Sequence, residues 1–337
     1  MSNDLISSGT QERRIRNENT EPVPDSPRNF NFYFAAYLCA VALIFLRTLS
    51  NLFAFAVHHD YGSHIPLIPF VSAYLIFLRR KAIFSNLQHS FKTGGGLLFL
   101  GIISFWLSQG NRFALNENEA LAWATSSIVL ICIAGFVMCY GLRASRQAVF
   151  PLLFLFLMVP IPTVVLEKAI FLLREGSTSV TMGIFHMLNV PAEQNGFLIS
   201  VPGVTIEIAK ECSGIRSTLA LLITCLLAPY LFLRSNLRRI AFLSLVVPMA
   251  VVKNGIRIAT LTLLSIYVDP AFLHGDLHRD GGIVFFLLAL LLLAPILWLL
   301  HVSERSKHLK RPPRANMGKP DCNATSAVGQ ITHTPGS

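Results

Sequence analysis

The chain has 337 residues, 53% hydrophobic and 14% charged, with a formal net charge of +10 and a mean hydropathy of +0.56. Soluble domains carry about 25% charged residues, so this composition makes a polytopic membrane protein the first reading and excludes a disordered chain and a disulfide scaffold. The basic excess is then a question of membrane orientation and not of nucleic acid, for which no partner is expected.

Residues 1–29 are polar and lack the basic-then-apolar pattern of a secretory signal, so they read as a disordered cytoplasmic tail. Residues 30–301 form the membrane domain. A helix needs about 20 residues to cross the hydrocarbon core. Eight apolar runs qualify, near 32–57, 63–79, 94–110, 121–141, 148–166, 214–232, 240–266 and 282–301. Residues 302–337 read as a second disordered, basic cytoplasmic tail.

With the N-terminus inside, the inner connections and the C-terminal tail hold fifteen Lys or Arg, and the outer connections hold five. The outer connections also hold eleven acids, against Glu304 and Asp321 inside. The asymmetry predicts an N-in, C-in protein of about eight spans. The fold class expected is therefore all-α and polytopic, with a small re-entrant or hairpin segment at the outer face between the fifth and sixth spans; the membrane expected is the cell inner (cytoplasmic) one.

The outer connection 167–211 is too long for a turn. Its first half, Glu167 to Leu188, has helical apolar spacing with polar breaks at Glu175–Thr178, which suits an amphipathic or re-entrant helix. Its second half alternates, and Pro202-Gly203 fits the centre of a type II turn. A small hairpin of Phe197–Val201 and Val204–Ala209 is expected, resting at the outer surface because an open hairpin cannot sit in lipid.

This topology gathers three residues in the outer half of the bundle. Cys212 opens the sixth span within Glu211-Cys212-Ser213-Gly214-Ile215-Arg216-Ser217, Arg257 lies in the seventh, and His278 precedes the eighth. A thiol attacks as thiolate, and a helix start or a nearby cation such as Arg216 favours that form. A histidine can move the proton, and a buried arginine can stabilise an oxyanion. Cys, His and Arg together describe acyl transfer through a thioester. The blander readings are a structural cysteine and a solvated histidine, with His274 as a rival for His278. Arg257 inside a span resists that reading, because charge within a membrane is costly. Lys253 shares its span and serves either the bundle or a partner.

At these residues the chain resembles the exosortase/archaeosortase family of polytopic cysteine transpeptidases, over roughly residues 35–300. Glu211 to Ser217 resembles the family's cysteine motif, Asn254-Gly255-Ile256-Arg257 its N-x-x-R motif, and His278 with Gly282 its H-x-x-x-G motif. Phe150 to Pro162 resembles an apolar run ending in P-x-P. His64 to Pro69 resembles an early H-G-x-x-x-P segment, with Ile65 where that segment carries glycine.

The resemblance implies Cys212 as nucleophile, Arg257 as charge stabiliser and His278 as acid/base. Glu211, Ser213, Gly214, Arg216, Asn254, Gly282 and His64 would support them. It implies substrates anchored in the same bilayer, each ending in a short motif, one transmembrane helix and a basic tail, cut at the periplasmic or outer face. No cofactor is implied, and no ligand cluster at metal spacing appears in the sequence. The competing class is a transporter or channel with buried Arg and Lys, which would favour internal repeats and spans broken near the midplane.

Overall fold

The structure is a computed structural model that describes residues 27–85, 87, 89–109, 115–269, 271 and 276–309. The N-terminal tail up to residue 26 and the C-terminal tail from 310 onward lie outside the described residues.

Among the described residues, the expected apolar runs are largely helical. In chain order the helices are α1 (Pro27–Ile44), α2 (Leu46–His58), α3 (Ile68–Leu78), α4 (Arg80–Ile83), α5 (Phe91–Gln109), α6 (Glu117–Gln147), α7 (Val149–Phe154) and α8 (Thr163–Met187). The strands β1 (Glu193–Asn195), β2 (Leu198–Val201) and β3 (Val204–Glu207) follow. Then come α9 (Ile215–Phe232), α10 (Asn236–Leu243), α11 (Val246–Tyr267) and α12 (Asp276–Leu309). The protein is therefore mostly helical and polytopic. Among the described residues five helices are long and apolar enough to cross a membrane, or seven if each of two bent pairs counts as one span. The stretch Ile65–Leu78 is apolar but shorter.

One bent pair redraws the expected fifth span. The helical stretch beginning at Val149 stops at Met158, and the chain turns by 89° into Thr163–Met187. Pro160 and Pro162 supply the cause, since proline removes a backbone donor and disfavours helix in the residue before it. The segment expected as an amphipathic or re-entrant helix is the C-terminal part of α8, which runs unbroken through Glu175–Thr178.

That continuity has a packing reason. Ser177, Thr178 and Thr181 are fully buried against α11, and Thr178 and Thr181 satisfy their hydroxyls on the carbonyls of Arg174 and Ser177 one turn back. Their polarity marks a close helix–helix contact, where small residues let backbones approach. Gly255 completes it: an added Cβ would strike Val180, and Thr181 Oγ1 donates to the Gly255 carbonyl at 3.2 Å.

Each half of the chain has a large apolar core. Phe136, Tyr140, Ala144 and Leu152 centre one in the N-terminal half. Leu173, Leu221, Phe242, Val246, Ala250 and Leu293 centre the other, joining α8 to α9, α10, α11 and α12. Large apolar side chains such as Trp106, Phe232 and Ile283 face outward, as a lipid solvent allows.

The expected hairpin is present and larger than its two strands. β2 and β3 pair antiparallel with Val201 opposite Val204, and Gly203 at φ +87° closes the turn after Pro202. β1 adds a third, antiparallel strand beside β2. Ile199, Val201 and Ile208 pack on Phe185, Ile258 and Ala259, which seats the sheet on the ends of α8 and α11.

Candidate active site

Three polar residues of α11, Lys253, Asn254 and Arg257, are spaced to share one helical face. That face meets the short 3-10 turn Lys210–Ser213, which carries Cys212 from the sheet into α9. The Cys212 N–H closes the turn on the Ala209 carbonyl at 3.0 Å. Gly214 then adopts φ +71°, the left-handed conformation that glycine takes without a Cβ penalty.

Glycine is required there for a second reason. A Cβ on Gly214 would sit 2.7 Å from Asn254 Oδ1. The close approach lets Asn254, only 1% exposed, donate from Nδ2 to the Cys212 carbonyl at 3.0 Å and to Ser177 Oγ at 3.0 Å. One amide thus ties the Cys212 turn, α8 and α11 together. Ser213 is fully buried inside the same turn.

Arg257 stands one helical turn beyond Lys253, close enough to Cys212 for a thiolate there to act on its charge. Lys253 and Arg257 also act on each other, so two cations of α11 lie close together. Lys253 donates to the Ser217 hydroxyl on α9. In a dry setting such fixed charge is worth more than in water.

The structure thus brings Cys212, Ser213, Gly214, Asn254 and Arg257 together. Arg216 is exposed on the first turn of α9. Glu211 lies in the turn, and its side chain is outside the described residues. His278 lies in the first turn of α12, again with its side chain outside the described residues, and His274 lies outside them altogether. Gly282 follows in the same helix with open space where a Cβ would be. Among the described residues, no three His, Cys, Asp or Glu side chains are grouped to hold a metal ion.

His64 sits elsewhere, half-buried, donating from Nε2 to the Leu157 carbonyl at 3.2 Å. The carbonyl can only accept, so Nε2 carries the proton. Two motifs far apart in sequence, the His64 segment and the run ending in Pro160-Ile161-Pro162, therefore meet in space. The adjoining turn Asp60–Gly62 packs on α9, the helix that follows Cys212.

The family model for transmembrane exosortase (Exosortase_EpsH) matches residues 56–295. The chain belongs to the exosortase family. The match takes in both His64 and His278, every helix from α3 to α11, and the sheet. No curated protein and no solved structure matches the chain. The family is one of membrane transpeptidases, and the exosortase fold is that of a multi-pass membrane protein.

Two features of this exosortase site are not readable from its motifs. Arg174, on α8, donates from Nε to the Ile208 carbonyl at 2.6 Å and lays its guanidinium 3.9 Å from the Phe197 ring centre. It fastens the sheet to α8 just before the Cys212 turn. Ser177 is the other, hidden in a stretch whose polarity resembles a break. A polar residue at helical spacing within an apolar helix is the signal that could have found it.

Proposed function

We propose that this exosortase is a cysteine transpeptidase or protease that cuts a C-terminal sorting signal at the outer face of the inner membrane. The substrate is an exported protein ending in a short motif, a transmembrane helix and a basic cytoplasmic tail. The observation that carries the reading is Asn254 holding the Cys212 carbonyl while Arg257, on the same helix, lies within electrostatic reach of the thiol.

Cys212, as thiolate, attacks the carbonyl carbon of the peptide bond after the motif, forming a C–S bond and a tetrahedral oxyanion. Arg257 stabilises that oxyanion. Collapse breaks the C–N bond, and His278 delivers a proton to the departing amine, which remains on the membrane helix. Water or an acceptor nucleophile then attacks the thioester, gives up its proton to His278, and returns Cys212 as thiolate. Glu211, Ser213, Gly214, Arg216, Asn254, Gly282 and His64 shape or steady this site.

The eight apolar runs cross the bilayer with both termini inside, supported by fifteen basic residues on the inner connections and tail against five outside. This orientation puts the scissile bond just beyond the lipid, with the substrate helix lying beside the bundle.

The test is cleavage of a tailed reporter in membranes. Cys212→Ala should insert and fold but leave the reporter uncut, while Arg257→Ala and His278→Ala should each lose most activity and His274→Ala little. Continued cleavage by Cys212→Ala refutes the mechanism, and an essential His274 with a dispensable His278 moves the base.

A further inference from the structure

Lys253 is a cation that the acyl-transfer scheme leaves without a task. It is 2% exposed within α11, and a lysine inside an apolar bundle is costly. Arg257, one turn along the same face, adds like charge. Methionine is close in length and would bury there more cheaply, so the amine calls for an explanation in what its N–H groups contact.

Its contact is Ser217. The lysine Nζ donates to the Ser217 hydroxyl, and Ser217 Oγ donates in turn to the Gly214 carbonyl at 3.0 Å. The next residue of α11, Asn254, holds the Cys212 carbonyl. Two consecutive side chains therefore grip the carbonyls at both ends of Cys212-Ser213-Gly214. One acts directly and the other through a hydroxyl.

We propose that Lys253 is a positioning residue for Cys212, acting through Ser217 and Gly214 to hold the nucleophile turn in register with Arg257. This inference rests on the reading of Cys212 as nucleophile. Thr218 also binds the Gly214 carbonyl, through its N–H and its hydroxyl at 2.9 Å each, so Gly214 moves with the first turn of α9. Without the Lys253 contact that turn loses its tie to α11, and the thiol drifts out of the Arg257 field. The hydrogen bond is the working part, so a neutral donor at position 253 retains the function.

The test is alkylation of Cys212 by iodoacetamide in the full chain in detergent, resolved by mass spectrometry and followed across pH. Losing one such bond costs on the order of 1 kcal/mol, so Lys253→Met and Ser217→Ala should each slow alkylation near neutral pH by about five- to tenfold. Both should also move its pH midpoint upward. The double variant should be no slower than either single one, and Lys253→Gln should stay within about twofold of the unaltered chain.

Unchanged alkylation in Lys253→Met, or a double variant slowed by the product of the two singles, overturns the proposal. Lys253→Gln as slow as Lys253→Met also overturns it, assigning the effect to charge. If Lys253→Met fails to fold, Ser217→Ala carries the same prediction. Alkylation needs no substrate, so its failure leaves the proposed cleavage standing. A chain with the predicted pattern that never cuts a tailed substrate refutes the cleavage alone.

Discussion

Asn254 and Cys212 are 42 residues apart in sequence and joined by a 3.0 Å hydrogen bond from the Asn254 amide to the Cys212 carbonyl. The bond fixes the backbone of the cysteine without engaging its thiol. Asn254→Asp should therefore be severe although it changes few atoms, because a carboxylate cannot donate to that carbonyl or share Ser177 Oγ as the amide does. A buried acceptor left unmet costs about 1–3 kcal/mol, so reporter cleavage should fall at least about fivefold while the chain still inserts. Cleavage rates measured at matched membrane abundance check this.

Gly214→Ala tests the same contact from the other side. The substitution meets a positive φ of 71° and a 2.7 Å approach to Asn254 Oδ1. The φ alone costs about 1–2 kcal/mol. Combining Gly214→Ala with Asn254→Ala should remove the clash but keep the conformational strain, so the double variant should not recover the original melting temperature. Thermal unfolding in detergent reads the outcome.

The motifs around Cys212 and Arg257 were legible because each places a residue type where apolar sequence would otherwise continue. The hairpin was legible for a different reason: Pro202-Gly203 fits one turn type, and Val204, Ile206 and Ile208 alternate. β1 carried no such sign, since Glu193, Gln194 and Asn195 are exposed on both faces of the strand. The polar stretch at Glu175–Thr178 reads as a break because periodicity does not distinguish solvent from a polar helix partner. Ser177 is polar for the sake of Asn254, 77 residues away. The Lys253–Ser217 contact was hidden likewise, because it depends on which faces α9 and α11 present to each other.

Arg174 should be needed for order in the sheet and not for the fold of the bundle. Its hydrogen bond to Ile208 and its stacking on Phe197 are together worth on the order of 2 kcal/mol. Arg174→Ala should raise amide hydrogen exchange across residues 193–207 while leaving α9 and α11 protected. Arg174→Lys should restore little, because an ammonium lacks the planar stacking surface and the fixed donor geometry. Protection in the sheet equal to that of the unaltered chain would rule out this fastening role.

His64 should contribute stability through its 3.2 Å hydrogen bond to the Leu157 carbonyl. Losing one such bond costs on the order of 1 kcal/mol, so His64→Ala should lower the melting temperature in detergent. His64→Gln can still donate a hydrogen bond and should lose less. A melting temperature for His64→Ala equal to that of the unaltered chain would leave the contact between the His64 segment and the Pro160-Ile161-Pro162 run as packing alone.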